Sequence, residues 1–516
     1  MIDINAILEK GEKLTVEAKL AQGGLPNSIW ETYSAFANSY GGTILLGVEE
    51  NKKTKELTVA GIDNPQKLIS DFWNIANNPN KINVNILLDE HVYEMDYDNK
   101  KIVVIEVPRA DRRYKPVYIN NDLFSGTYRR NADGDYRCSK EVVLSMLRDN
   151  DAESADNKIL DKCPMEYLNE DSIRSYRTAF ANLREGHVWT KLSNDEFLTK
   201  IAAARKGEDG KLHPTLAGLI FFGDFTYITD FLPNFFLDYR EQKGGKNRWT
   251  DRVCSGDGDW SGNIFDFYFK IIHKLTADVE KPFQLDENSL RIDQTKVHDA
   301  LREVLANALI HADYYGRRGI VIEKDFKTIK ISNPGTFRIN ITEAIDGGIS
   351  DARNAKIFNM FALINVGERS GMGLCDLYET WEQYGYVQPR IEETLDPDRV
   401  SITLKLEENN TSSVDNVGNN VGNGGNRVGN NGKNGGNDDE DVLEIEDMDA
   451  FLEGFLTKTE FIIFEIIKEN PKISAAKIAK DINISKRSVE RSIAVLKEKG
   501  FIAREGSTRG KWIILK

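Results

Sequence analysis

Residues 408–437 read ENNTSSVDNVGNNVGNGGNRVGNNGKNGGN, a run of Asn and Gly with Val as its main apolar residue. Such a segment cannot bury enough surface to offset the entropy of ordering it, so it is expected to be a flexible linker. It bars any single core from running through the whole chain. Its V-G-N spacing repeats, but the scarcity of large side chains excludes a solenoid. An acidic block, DDEDVLEIEDMDA, follows at 438–450. From Lys458 to Lys516 there are 14 Lys/Arg against 7 Asp/Glu, although the chain as a whole carries −14. The charge is segregated, with a basic module behind an acidic tether.

A length of 516 residues exceeds what one core organises and predicts roughly three or four domains. The composition shifts place the boundaries at 1–150, 151–285, 286–406, 407–455 and 456–516. Residues 151–285 are expected to be a connecting region of helical and mixed character that contributes packing. No run approaches the roughly 20 apolar residues that cross a bilayer. The first ten residues lack the basic and apolar regions of a signal peptide. Cys138, Cys163, Cys254 and Cys375 form no C-x-x-C pair and read as thiols of a reducing compartment. A cytoplasmic protein of a bacterium or archaeon is expected, with no membrane contact.

Val297–Asp313, VHDALREVLANALIHAD, places Leu301, Val304, Leu305, Ala308 and Leu309 at helical spacing. Glu303 and Asn307 stand one turn apart and share a face. An Asn amide oxygen there can ligate Mg²⁺, and a Glu can position or deprotonate water. Downstream, Ile331-Ser-Asn333-Pro334-Gly335 ends a strand in a turn. Gly367-Glu-Arg-Ser-Gly371-Met-Gly373-Leu374 then opens a helical pattern at Leu374–Tyr384. Glycines ahead of a helix let backbone N–H groups approach phosphate. In the basic C-terminal part, helical patterns at Thr459–Glu469, Ser474–Asp481 and Ser485–Lys499 precede two strands around a basic hairpin. The last helix begins Ser485-Lys486-Arg487-Ser488-Val489-Glu490-Arg491, and the hairpin carries Arg509. Lys486, Arg487, Ser488, Arg491 and Arg509 are the expected DNA contacts of a winged helix-turn-helix.

Two resemblances extend these readings. The strings Glu12-Lys-Leu-Thr-Val-Glu17-Ala-Lys19 and Ser34-Ala-Phe-Ala-Asn38-x-x-Gly41-Gly42-Thr-Ile-Leu-Leu-Gly47-Val-Glu49 resemble the Schlafen AlbA_2 family. So do Lys115-Pro116-Val-Tyr118 and Gly126-Thr-Tyr128-Arg129-Arg130. Ala18 stands where the family has Phe. The resemblance implies binding of DNA or RNA, and Arg112, Arg113, Lys115, Arg129 and Arg130 read either as the basic cluster for phosphate or as a solvated basic surface. In RNA-cleaving Schlafen proteins three acids hold a metal, and those positions fall on Glu12, Glu17 and Glu49 or Glu50. The other reading of these carboxylates is solvated charge.

Residues 290–406 resemble the divergent GHKL ATP-binding fold that accompanies AlbA_2 domains. The resemblance makes Glu303 and Asn307 the N-box, with Asn307 on Mg²⁺ and Glu303 the base of a slow ATPase. Asn333 and Gly335 fall at the adenine turn, and Gly371 and Gly373 in the phosphate lid. Asn333 replaces the usual Asp, and its carbonyl can still accept from an adenine amino group. His273 and His298 lack the context of a histidine-kinase phosphoacceptor.

The expected fold class is therefore α+β multidomain: an AlbA_2-type α/β domain, a GHKL-like α/β sandwich and a C-terminal winged helix-turn-helix. The expected function is an ATP- and Mg²⁺-binding, DNA-binding transcriptional regulator that forms a homo-oligomer. The alternative is an ATP-gated, metal-dependent nuclease of Schlafen type that cuts RNA or DNA in antiviral defence.

Overall fold

The computed structural model describes residues 4–10, 14–51, 53–242, 249–277, 279, 295–367 and 371–407, with parts of 463–514. The chain forms two compact units, Met1–Asn416 and Val417–Lys516. The expected linker at 408–437 and the acidic block lie outside the described residues. The fold is mixed α and β throughout the first unit.

The N-terminal part of the first unit is a four-stranded sheet in the order Val16–Lys19, Gly42–Leu46, Lys100–Val107, Val92–Tyr97. The first pair is parallel and the others antiparallel. Apolar residues of both sheet faces are buried, so two cores form, one on each side. Helix Ile29–Asn38 lies on the larger core, with nine of its ten residues buried. Trp30 stacks on Phe72 at 5.2 Å between ring centres. Burying side chains of this size contributes about 2–3 kcal/mol each. At the helix end the buried Asn38 amide donates to the carbonyls of Val117 (2.7 Å) and Tyr128 (3.0 Å) and accepts from Val117 N–H (2.9 Å). One side chain thus ties the Ser34–Asn38 motif to the two downstream motifs. Gly41 follows with φ +77°, where a Cβ would lie 2.9 Å from Val107 O and Arg109 N. The strand expected at Thr43–Val48 breaks at Gly47, whose φ is +88°. The chain resumes as Val48–Glu50, paired with Leu57–Val59.

The second sheet has six strands in the order Asp251–Cys254, Leu237–Glu241, Ile320–Lys324, Thr328–Pro334, Asp398–Lys405, Arg390–Leu395. Leu237–Glu241 and Ile320–Lys324 run parallel, and the other neighbours are antiparallel. Two of the strands come from the stretch expected to be a connector. Helix Ile264–Thr276, from the same stretch, packs on helix Lys296–Ile310. A single core of described residues runs from Leu160 to Leu404, with members on both sides of 285/286. The strands were hard to see because Asp238 and Glu241 are buried within LDYRE. Arg240 (2.7 Å) and Arg252 (2.9 Å) compensate the fully buried Asp238 carboxylate.

In the second unit the described residues include helix Ala475–Asp481 and the antiparallel pair Ile502–Glu505 and Lys511–Ile514. Ser474 Oγ accepts from Lys477 N–H at the helix start. Ile463, Phe464, Ile467, Ile478, Val489, Leu496, Ile502 and Trp512 form its core. Trp512 closes it, donating from Nε1 to Ile473 O at 3.2 Å.

Candidate nucleotide site

Helix Lys296–Ile310 buries Leu301, Val304, Leu305, Ala308 and Leu309, the stripe that its periodicity predicts. It rests on strand Thr328–Pro334 on one side and on helices Gly373–Gln383 and Ala355–Leu363 on others. Glu303 and Asn307 consequently face one cleft. Asn333, Gly371 and Gly373 line the same cleft, with Phe337, Arg338, Ile349 and Asp351 on its wall. Residues that are up to 70 positions apart in the chain thus meet in one concavity.

Asn307 Nδ2 donates to Glu303 Oε1 at 3.1 Å. This commits the nitrogen end of the amide to the carboxylate and leaves the oxygen end for another partner. Gly373 abuts both residues: a Cβ there would lie 2.8 Å from Glu303 Oε1 and 3.1 Å from Asn307 Nδ2. Gly371 has φ +71° and touches Ile349, with its carbonyl accepting from Gly348 N–H at 3.2 Å. Gly371 is therefore held against the Gly347–Ile349 turn. Asn333 is buried in the sheet and donates from Nδ2 to Pro334 O at 3.2 Å. Gly335 lines the turn beyond it rather than the cleft. Its N–H donates to Asp398 O at 3.1 Å, and its φ is +107°.

Sequence reasoning missed a group of residues behind this cleft. Arg353 donates to both oxygens of Asp149 (2.9 and 2.8 Å), to His311 O (2.8 Å) and to Thr336 O (3.0 Å). Asn354 donates to Ile310 O and Ala312 O, each at 2.8 Å. Together these two side chains satisfy carbonyls at the C-terminal end of the Glu303/Asn307 helix. His311 lines the cleft, and burial together with the Arg353 and Arg338 charges pushes its pKa down to about 4. It is a neutral imidazole at physiological pH. An Arg-Asn pair in a loop has no periodic signature, so nothing local marked it.

The other expected site residues fall elsewhere. Glu12 lies outside the described residues. Glu17, on the edge strand, is paired with Lys19 (2.7 Å) and Arg130 (2.9 Å). Glu49 is exposed on Val48–Glu50. Among the described residues no group of three or more His, Cys, Asp or Glu is arranged to hold a metal ion. The basic cluster differs most from expectation. Arg129 pairs with Asp398 at 2.5 Å and also reaches Leu395 O. Arg130 is buried between Glu17 and Asp135. Lys115 donates to Asn38 O at 3.4 Å, and burial, with Arg109 and Arg129 nearby, pushes its amine well below the ordinary lysine value. Of the five expected phosphate contacts these three are engaged inside the chain: Asp398 of the second sheet takes Arg129, while Arg130 and Lys115 are held by groups of the N-terminal part itself. Lys486 is exposed in the second unit, whereas Arg487, Ser488, Arg491 and Arg509 lie outside the described residues. No helix among the described residues is long and apolar enough to cross a membrane.

The fold and cleft define a multidomain protein with an ATPase-like α/β sandwich, and comparison with known proteins specifies its parts. Family models match Schlafen AlbA_2 at residues 12–139 and a domain of unknown function, DUF8451, at 144–238. They also match the putative ATP-dependent DNA helicase recG C-terminal at 320–404 and a winged helix-turn-helix DNA-binding family at 456–503. The N-terminal domain of a putative ATP-dependent DNA helicase RecG-related protein from Nitrosomonas europaea is 31% identical. That match covers 26% of this chain and 88% of that one, with a TM-score of 0.21. The DIP2311 protein of Corynebacterium diphtheriae is 15% identical over 97% of this chain and 79% of that one, with a TM-score of 0.38. No curated protein matches the chain. The matches give the chain a domain composition of Schlafen AlbA_2, recG-C-terminal ATPase-like domain and winged helix-turn-helix.

Proposed function

We propose that this chain is a cytoplasmic transcriptional regulator that binds ATP with Mg²⁺ and binds DNA through its winged helix. The observation that carries the reading is the meeting of Glu303, Asn307, Asn333, Gly371 and Gly373 around one cleft. The donor set fits a magnesium nucleotide. Asn307 has its amide oxygen available, and the space a Cβ would take at Gly373 lies beside both helix residues. Asn307 would ligate the metal, which supplies charge neutralisation to phosphate oxygens when bound. Glu303 accepts from Asn307 and is the group able to take a proton from water in slow hydrolysis. Asn333 has a carbonyl that can accept from an adenine amino group. No observation favours the nuclease reading over this one.

Calorimetry tests the site. The wild type is expected to bind MgATP, and Asn307→Ala to bind it at least about tenfold more weakly, a loss of about 1.4 kcal/mol. A wild type without affinity for MgATP, or an equal affinity in Asn307→Ala, would defeat the assignment.

The regulatory part rests on the winged helix and its tether. The composition of 408–437 is that of a flexible linker, and a flexible chain of about 30 residues has a root-mean-square span of about 30 Å, too compliant to transmit a rigid rotation. Nucleotide is expected to act by promoting homo-oligomers that offer two winged helices to DNA together. Full-length protein should bind duplex DNA with affinity falling steeply as salt rises. Replacing Lys486 and Arg487 together by Ala should reduce the slope of log affinity against log salt by about 2. An unchanged slope would remove these residues from the interface.

A further inference from the structure

The wall of the nucleotide cleft is built partly from a different module. Arg112, in the N-terminal module, places Nε and Nη2 on the two oxygens of Asp351, with Nη2 at 3.3 Å from Oδ1. Its remaining nitrogen, Nη1, donates to Asp149 O (2.7 Å) and Asp151 O (3.2 Å), at the C-terminal end of helix Lys140–Asn150. The guanidinium is therefore held from both sides, and Asp351 lines the cleft. A short way along, Arg109 binds the buried Glu393 carboxylate through both terminal nitrogens and donates from Nη2 to Phe337 O at 2.8 Å. Glu393 in turn accepts from Phe337 N–H at 2.7 Å. Phe337, another residue of the cleft wall, is thus fixed at both its N–H and its C=O.

We infer that the nucleotide cleft is completed by the N-terminal module, with Arg112 neutralising Asp351 and Arg109 pinning Phe337. The inference rests on the nucleotide-binding reading above and adds two positioning residues to it. The charges near the wall are Arg112, Arg338 and Arg353 against Asp149 and Asp351. Asp149 is occupied by Arg353 at 2.8 Å, and Arg338 reaches Asp351 only at 3.4 Å. Without Arg112 the Asp351 carboxylate keeps one cation, Arg338 at 3.4 Å, which it shares with Asp149, and repels an anionic ligand more strongly. Polyphosphate affinity therefore depends on a residue that does not belong to the ATPase-like domain. By linkage, nucleotide in the cleft strengthens docking of the N-terminal module by the same factor.

The test is MgATP affinity by calorimetry on the full chain, in four forms. Arg112→Ala should bind about tenfold more weakly than wild type. Adding Asp351→Asn to that variant should restore affinity to within about threefold, because the uncompensated charge is gone. Asp351→Asn alone should bind as well as wild type or better, and this variant keeps the Arg112 contacts to Asp149 and Asp151. Equal affinity in wild type and Arg112→Ala would overturn the inference while leaving the nucleotide site standing. So would a double variant as weak as the single one, or a loss in Asp351→Asn alone. A wild type with no affinity would instead overturn the functional reading and this inference with it.

Discussion

Asp149→Ala is expected to lower the stability of the first unit by about 3–5 kcal/mol, the range for removing one partner of a buried ion pair. Asp149 is the carboxylate on which the arginines behind the cleft converge. Arg353 binds both its oxygens, and Arg338 approaches at 3.9 Å. The Arg353 and Arg338 side chains are only 8% and 6% exposed, so truncation strands the Arg353 cation and leaves Arg338 with Asp351 alone, at 3.4 Å. Carbonyls of His311, Thr336 and Ala352 retain some of their hydrogen bonds, which places the loss within rather than above that range. The effect carries a pH signature. Burial alone would raise the Asp149 pKa, but Arg353, then Arg338 and Arg148, hold it below the ordinary value. A depressed carboxyl contributes stability that is present above its unfolded pKa of about 4 and is lost as pH falls through the folded value. The gap between wild type and Asp149→Ala should be full at pH 7 and shrink in acid. Urea unfolding at both pH values measures it, and a gap independent of pH would contradict the ion-pair account.

Gly373→Ala is expected to do the opposite: to spare the fold and remove the ligand. Gly373 begins helix Gly373–Gln383, and alanine is the better helix former by up to about 1 kcal/mol. The new methyl, however, would sit 2.8 Å from Glu303 Cγ and Oε1. Glu303 must swing away, breaking its 3.1 Å hydrogen bond from Asn307, and the methyl takes space beside both residues. The free protein relieves the clash by that movement, and binding that needs Glu303 back in place overpacks it against the methyl at a cost of about 2 kcal/mol, roughly thirtyfold in MgATP affinity. Thermal unfolding without ligand should be unchanged or slightly raised, while calorimetric affinity collapses. A variant that binds like wild type would mean that the ligand does not approach this part of the cleft.

The two halves of this site differed in how well they could be read from sequence. Glu303 and Asn307 lie on a helix whose apolar stripe repeats cleanly, and glycines near a helix start are themselves a signal. Both are local patterns. Arg112 and Arg129 were visible in a basic cluster, but their partners are distant: Arg112 meets Asp351 across 239 positions and Arg129 meets Asp398 across 269. Local charge density therefore made an internal seam look like a surface for phosphate. Asp238 concealed a strand in a similar way, because its compensating Arg252 lies on the neighbouring strand. Alternation rules assume that buried strand positions are apolar.

The parallel pairing of Leu237–Glu241 with Ile320–Lys324 has a consequence for how the protein is made. A strand synthesised early must wait for a neighbour that leaves the ribosome only after helices Ile264–Thr276 and Lys296–Ile310 have emerged. Until then its hairpin with Asp251–Cys254 has one unfilled edge, a template for any extended chain nearby. Non-local pairing of this kind is slow and prone to aggregation. The nascent chain is exposed during that interval, and a fragment cut at residue 286 would remain exposed permanently. Expressing the ATPase-like part alone from that point would separate Ile320–Lys324 from the strand that should flank it. The smallest piece that can close this sheet has to begin before Leu237.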